Sequence, residues 1–301
     1  MILFRISDFY KRFTDPLGES SDVELGRSEI ERFSNHELHV RVATKVDGMD
    51  CLIVGSLAPP DKQLMSLCML ADALKHAGAR AVFAFLPYLG YGRQDKFQPG
   101  ESRGIQLLGS WIAASGIDKT VTVDTHSELE KEFFSPPLIS LSPADIFAGE
   151  IRQLGWEKFT VVAPDEGAMC RAKDLSDALS QNMPPAHFVK KRANEVVHLE
   201  LIGEVGSRAV IVDDILDTGK TLVSACKELR SRGVEEIAVA VTHGLFTDHD
   251  WKRIFEHGVT SCMVGDSTPE AVEESEYSVH VKLIPLAPLM PAVIESLRGK
   301  E

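Results

Sequence analysis

The sequence predicts an α/β protein of two tandem domains, each with a mainly parallel sheet flanked by helices. Three observations lead there. Strand-length apolar runs alternate with amphipathic helical stretches along the chain. Those runs are continuously apolar rather than alternating with polar residues, as strands covered on both faces require. The strand–turn–helix–strand layout occurs twice within 301 residues, a length that accommodates about two domains.

The first such unit begins at Cys51–Ser56, an apolar β-type run. A polar, proline-containing turn follows. A helix is then predicted from Leu64 to His76, with Leu64, Leu67, Cys68, Ala71 and Leu74 on one face and Gly78 as its stop. Ala81–Leu86 is the next strand. In the second unit Ala209–Val212 is a strand and Asp213–Lys220 a polar turn. Residues 221–232 form a helix carrying Leu222, Ala225, Cys226 and Leu229, Gly233 caps it, and Ile237–Val241 is the following strand. Laid over one another, residues 52–54 fall on 210–212 and Gly78 falls on Gly233, which points to duplication of one α/β domain. Ser140-Leu-Ser-Pro143 and a new strand within Trp156–Ala163 put the boundary near residues 140–152. The expected domains are 1–146 and 147–301, the last helix being free to pack back on the first. With no linker-like segment, they are expected to pack tightly.

Composition narrows the class. Apolar residues make up 44% and charged residues 26%, as in globular proteins. A formal charge of −13 argues against a general nucleic-acid or anionic-membrane binder, while leaving room for a local basic pocket. Five cysteines without CxxC spacing read as reduced, mostly buried thiols of a cytoplasmic protein. Met1–Phe4 is followed at once by Arg5 and Asp8, so no signal-peptide core is expected there, and Ala81–Gly92 is too short to span a bilayer.

Chemistry concentrates where apolar strands end. Val210–Val212 runs into Asp213 and Asp214, and the turn Asp217-Thr-Gly-Lys-Thr221 opens a helix. Backbone N–H groups, the hydroxyls of Thr218 and Thr221, the flexible Gly219 and a helix N-terminus make an anion cradle suited to phosphate. The acids suit ribose hydroxyls or a metal-linked diphosphate. Gly219-Lys220-Thr221 matches the tail of a nucleotide P-loop, but the first glycine of that motif would fall on Asp214, so that reading fails. Pro87-Tyr-Leu-Gly-Tyr-Gly-Arg-Gln-Asp-Lys96 joins glycine flexibility to Arg93 and Lys96, cations able to contact polyphosphate. Thr120–His126 ends a strand with Asp124 and His126 two residues apart. In an extended chain these face the same side and can hold a divalent cation directly or through water. Asp165 follows a third strand, and Lys190, Lys191 and Arg192 form a basic run.

Together these stretches resemble the ribose-phosphate pyrophosphokinase family, also called phosphoribosyl-diphosphate synthetases. The 210–222 stretch alone also resembles type I phosphoribosyltransferases, but the 87–96 segment is particular to the pyrophosphokinases. The likeness extends from about Phe33 to Leu297 and takes in Thr242–Phe246 and Ile284–Leu289. Gly92, His36, Asn35 and Lys220 depart from the usual Ala, Gly, Asp, and Gly or Ala, and the basic segment is a little shorter than in bacterial enzymes.

The resemblance implies phosphoribosyltransferase-type domains with the site between them, and transfer of the diphosphoryl group of ATP to the 1-hydroxyl of ribose 5-phosphate. It implies that Phe33, Asn35, Glu37, Arg93, Gln94, Asp95 and Lys96 contact the nucleotide. Asp213, Asp214, Asp217, Thr218, Gly219, Lys220 and Thr221 would bind ribose 5-phosphate. Asp124, His126 and Asp165 would hold Mg²⁺, and Lys190 and Arg192 would act on the transferred group from a flexible loop. Arg171 has either a site role or a salt bridge. ATP and ribose 5-phosphate are the expected partners, in a homo-oligomer built from dimers. A type I phosphoribosyltransferase and a catalytically inactive regulatory homologue stay as alternatives.

Overall fold

The structure, a computed structural model, describes residues 1–17, 23–59, 61–181, 184–193 and 196–299, without the side chains of 192–198 and 277. It divides into two compact units, one of residues 1–141 with 287–301 and one of 142–286.

In the first unit, the strands are β1 (Ile2–Arg5), β2 (Glu24–Leu25), β3 (Ser28–Arg32), β4 (Leu38–Val42), β5 (Asp50–Val54), β6 (Ala81–Leu86), β7 (Lys119–Val123) and β8 (Leu138–Leu141). Its helices are α1 (Lys11–Thr14), α2 (Lys62–His76) and α3 (Gly104–Ala114), joined by α8 (Met290–Arg298) from the chain's end. A sheet of order β2-β1-β5-β6-β7-β8 is parallel throughout. Strands β3 and β4 pair only with each other, as an antiparallel hairpin. Leu64, Leu67, Ala71 and Leu74 of α2 are buried, as the helical spacing predicts.

The second unit holds β9 (Thr160–Ala163), β10 (Ala186–Ala193), β11 (Val196–Ile202), β12 (Arg208–Leu216), β13 (Glu236–Gly244), β14 (Val259–Gly265) and β15 (Val281–Ile284). Its helices are α4 (Ala144–Arg152), α5 (Met169–Ala178), α6 (Lys220–Ser231) and α7 (Pro269–Tyr277). The sheet order is β11-β10-β9-β12-β13-β14-β15, antiparallel only between β10 and β11. Successive residues feed opposite cores, because side chains alternate along a strand. Ile211, Val239 and Val241 pack with Leu222, Ala225, Cys226 and Leu229 of α6. Val210, Val212, Ala238 and Ala240 pack with Phe147, Ile151, Ala172 and Leu175 of α4 and α5. Each fully buried aliphatic side chain contributes about 1.5–3 kcal/mol, so continuous apolar strands are the ones this layering selects. The expected α/β class with helix-flanked, mainly parallel sheets is the one observed.

One boundary differs in a way that matters. Asp213 and Asp214 do not lie in a turn: β12 continues to Leu216, with Asp213 opposite Val241 and Ile215 opposite His243. The neighbouring β13 also runs on to Gly244, and its ladder holds β12 extended past its apolar residues.

Candidate active site

The sheet of the second unit reverses its winding between β9 and β12. From there the chain proceeds to β10 and β11 on one side, and to β13, β14 and β15 on the other. The carboxyl ends of strands at such a switch point border a crevice suited to ligands. Here β9 delivers Pro164 and Asp165, and β12 delivers Asp213, Asp214 and the 217–221 turn. Asp165 caps the short 3-10 turn Glu166–Ala168, accepting the Gly167 N–H at 3.0 Å.

Strand alternation alone would send Asp213 and Asp214 to opposite faces of the sheet, yet their side chains meet in a hydrogen bond at the end of β12. Asp214 is buried and lies 3.4 Å from the Arg171 guanidinium, itself mostly buried on α5. Arg171 also donates to the Gly167 carbonyl at 3.1 Å, tying the 165–168 turn to the acid pair. Of its two expected roles, the salt bridge is thus present. Asp213 accepts the Asp214 N–H at 3.0 Å. Burial, then the negative charge of Asp214, push its carboxyl well above the ordinary carboxylate range, and Asp165 adds to the push against the opposing pull of Arg171.

The 217–221 turn depends on Gly219, which has φ +72° and forms the N-cap of α6. A Cβ there would stand 2.6 Å from the Trp251 Cα, so a glycine is required by both conformation and space. The first turn of α6, at Lys220 and Thr221, presents the N–H groups that a helix leaves without intrahelical partners. Lys220 itself is exposed.

Strand β10 pairs with β9 only through Ala186 and His187, whereas its pairing with β11 continues to Ala193. The hairpin therefore overhangs the carboxyl end of β9, and Lys190 on it reaches within 4.0 Å of Asp165. Lys191 is paired with Glu200 across the hairpin. The Arg192 side chain lies outside the described residues. The expected flexible loop is, over its described backbone, a β-hairpin.

In the first unit the candidate residues form three groups. Arg93, Gln94 and Lys96 are exposed in the loop after β6, but Asp95 is buried and accepts the Ser127 hydroxyl at 2.9 Å. Gly92 touches a buried acid, Glu130: a Cβ at 92 would lie 2.7 Å from its carboxylate. A side chain at 92 would displace that carboxylate, so glycine suits the position where the resembled family has alanine. Glu130 closes a capping box with Ser127 and accepts its N–H at 3.2 Å. Tyr91, at φ +66°, donates its hydroxyl to Asp61, and that bond raises the phenol to about 12.

Asp124 and His126 flank the buried Thr125, immediately after β7. The expected strand alternation does not carry over to them. Asp124 leaves the strand at φ +52°, its N–H bonded to the Leu141 carbonyl at 3.0 Å. A non-glycine residue in this region is strained, a state that clusters at functional sites. Phe33, Asn35 and Glu37 sit in the turn of the β3–β4 hairpin. Phe33 is half exposed and tilts over His39 at 4.8 Å, and Asn35 accepts the Glu37 N–H at 3.1 Å. His36 adopts φ +68°, the left-handed geometry that explains a usual glycine, and its carbonyl accepts from Arg32 at 2.5 Å.

Sequence reasoning missed Ser127, Glu130, Tyr91 and Thr247 as residues that organise these loops. Thr247 donates its hydroxyl to Asp217. Tyr91 lies in the 87–96 segment, and Ser127 and Glu130 lie in the Ser127–Phe134 stretch that also fits the resembled family, but their partners were not legible, since those of Tyr91, Ser127 and Thr247 are 30 or more residues away. Among the described residues, no three His, Cys, Asp or Glu converge into a metal cage.

Two α/β units with mainly parallel sheets, one carrying paired acids and a glycine-dependent turn at its winding switch, define an α/β class with a candidate anion site, and comparison with known proteins narrows it. Residues 3–116 match the profile of the N-terminal domain of ribose phosphate pyrophosphokinase, and residues 137–262 that of the phosphoribosyl transferase domain. Ribose-phosphate pyrophosphokinase of Hyphomonas neptunium is 32% identical over 295 residues, covering 96% of this chain and 94% of that protein. The enzyme of Thermosipho africanus is also 32% identical, over 289 residues, covering 94% of this chain and 90% of its own. The crystal structure of phosphoribosylpyrophosphate synthetase from Mycobacterium smegmatis superposes with a TM-score of 0.85 at 28% identity, covering 98% of this chain and 99% of that one. The chain belongs to the ribose-phosphate pyrophosphokinase family. It is an enzyme of that type. No helix among the described residues is long and apolar enough to cross a membrane.

Proposed function

We propose that this chain transfers the diphosphoryl group of ATP to the 1-hydroxyl of ribose 5-phosphate, giving 5-phosphoribosyl 1-diphosphate and AMP. The observation that carries the reading is the acid pair on β12, half-buried Asp213 and buried Asp214, three residues before a glycine-dependent turn at the winding switch of the sheet. The turn, through Thr218, Gly219, Lys220 and Thr221, holds the 5-phosphate by N–H and hydroxyl donation. Asp213 and Asp214 take the ribose hydroxyls and orient the 1-hydroxyl. That oxygen attacks the β-phosphorus, the bond from the β-phosphorus to the oxygen bridging it to the α-phosphorus breaks, AMP leaves on that oxygen, and the 1-hydroxyl proton is lost. Arg93, Gln94 and Lys96 bind the donor together with Phe33, Asn35 and Glu37, while buried Asp95 holds their loop to Ser127. Lys190, and Arg192 beside it in sequence, neutralise charge on the moving group.

The donor set fits Mg²⁺. Hard carboxylates predominate, Asp213 is under like-charge pressure from Asp214 and Asp165, and no closed protein cage is needed by an ion that keeps waters and substrate phosphates as ligands. Asp124 and His126 would hold the nucleotide-bound ion and Asp165 a second. When bound, Mg²⁺ supplies charge neutralisation and in-line alignment of the polyphosphate. The family reading also carries a homo-oligomer built from dimers and a cytoplasmic location.

The test is the purified protein with ATP, Mg²⁺ and ribose 5-phosphate, following AMP and 5-phosphoribosyl 1-diphosphate together, with and without a free base. Equal formation of both, dependent on the sugar phosphate and indifferent to the base, is expected. No turnover across several donors overturns the reading in favour of an inactive relative, unless 5-phosphoribosyl 1-diphosphate supplied with the free base in place of ATP and ribose 5-phosphate releases diphosphate, which overturns it in favour of a phosphoribosyltransferase. Lys190→Ala is expected to lower kcat more than it raises KM, and an unchanged kcat removes Lys190 from its role.

A further inference from the structure

Residues 245–251, which follow β13, are folded against the phosphate turn by contacts on several different atoms. The Leu216 carbonyl, one residue before the turn, accepts the N–H groups of Leu245 at 2.8 Å and Phe246 at 3.2 Å. Phe246 has φ +46°, a strained value for a non-glycine residue, and its ring lies 4.7 Å from the Trp251 ring. Trp251 is fully buried, and its backbone is the surface that Gly219 touches. Within this brace the Thr247 hydroxyl donates to the Asp217 carboxylate, the first residue of the turn.

A carboxylate in a phosphate cradle is electrostatically adverse, since two like charges within a few ångströms weaken binding severalfold even in a water-like surrounding. Its charge has to be taken up by a donor for the turn's N–H groups to dominate. Thr247 is exposed, so core packing does not call for a residue of its kind there. We propose that Thr247 is a positioning residue for ribose 5-phosphate: its hydroxyl holds the Asp217 carboxylate so that the 217–221 turn offers donors, rather than negative charge, to the phosphate. The proposal rests on reading that turn as the sugar-phosphate cradle.

Three variants of the full chain test it: Thr247→Val, which keeps the shape and loses the hydroxyl, Thr247→Ala, and Thr247→Ser. Ribose 5-phosphate binding is measured by calorimetry, with kcat, both KM values and the melting temperature alongside. Thr247→Val and Thr247→Ala are expected to weaken ribose 5-phosphate about five- to tenfold in Kd and KM, as loss of one ordinary hydrogen bond does. The KM for ATP and the melting temperature stay unchanged, and Thr247→Ser stays within about twofold of wild type. Unchanged sugar-phosphate affinity in Thr247→Val overturns the proposal. So does equal weakening in Thr247→Ser, which puts the effect on shape, or a parallel rise in both KM values, which puts it on the fold. A wild-type protein that binds ATP but no ribose 5-phosphate overturns the cradle reading itself, and is told apart because the defect precedes any substitution.

Discussion

Asp213 shows how a candidate site residue can work against the fold that carries it. Burial and the neighbouring Asp214 raise its carboxyl well above the ordinary value of 3.8. The native state therefore binds this proton more tightly than the unfolded chain does. As pH rises from about 3.8 toward the raised native value, stability falls, and above that value the full penalty applies. Asp213→Asn removes the charge and is expected to stabilise the protein at pH 7 by roughly 1 kcal/mol, about 2–4 °C in Tm, while abolishing ribose 5-phosphate turnover. Thermal unfolding at pH 7 and at pH 3.5 checks the sign, since the gain should vanish at the lower pH. A destabilised Asp213→Asn at neutral pH would show that Arg171 compensates both acids. At this scale the residue types were legible in the sequence. Acids directly after apolar strands are conspicuous, whereas the contact between the two carboxyls, the Arg171 contact and the proton affinity follow from tertiary packing. His36 and Gly92 looked like mere departures from a pattern. In the structure each answers a local demand, a left-handed turn for one and the Glu130 carboxylate for the other.

At the level of elements, hydrophobic spacing located the helices well. Residues 64–76 and 221–232 were expected and 62–76 and 220–231 are observed, because the apolar faces and the stops at Gly78 and Gly233 are local signals. The strand ends were less legible. Strand β12 continues through two acids because β13 pairs with it there, and the basic 190–192 run is a hairpin because β11 pairs with β10. Pairing of this kind depends on a partner strand and leaves no trace in local composition. The turn from β12 to α6 is the element most sensitive to change. Gly219→Ala combines a left-handed backbone, worth about 1–2 kcal/mol, with a 2.6 Å approach to Trp251 Cα. We expect it to lower Tm by several degrees and to weaken ribose 5-phosphate at least tenfold, with ATP binding affected less. Calorimetry with each substrate separates the two, and equal loss for both would point to general unfolding.

Across the whole molecule, the chain's end returns to the unit where it began, so that residues 287–301 cluster with 1–141. The layering also sorts the cysteines. Cys51, Cys226 and Cys262 are buried, and burial pushes their thiols to about 11, 12 and 12, whereas Cys170 is exposed on α5. A maleimide added at pH 7 should label Cys170 first and those three only after unfolding, a pattern readable by mass spectrometry. Fast labelling of Cys226 or Cys262 in the native protein would contradict the packing around α6. The sequence by itself determined the α/β class, the repeated strand–turn–helix–strand layout and the position of the glycine-containing 217–221 turn ahead of a helix, since periodicity, continuous apolar runs and short motifs are local properties of the chain. Only the tertiary structure decided which strands pair, that β9 and β12 adjoin at the winding switch, that Arg171 meets Asp214, and that Thr247 meets Asp217. Each joins residues distant in sequence, and contacts of that kind are set by how the sheet packs.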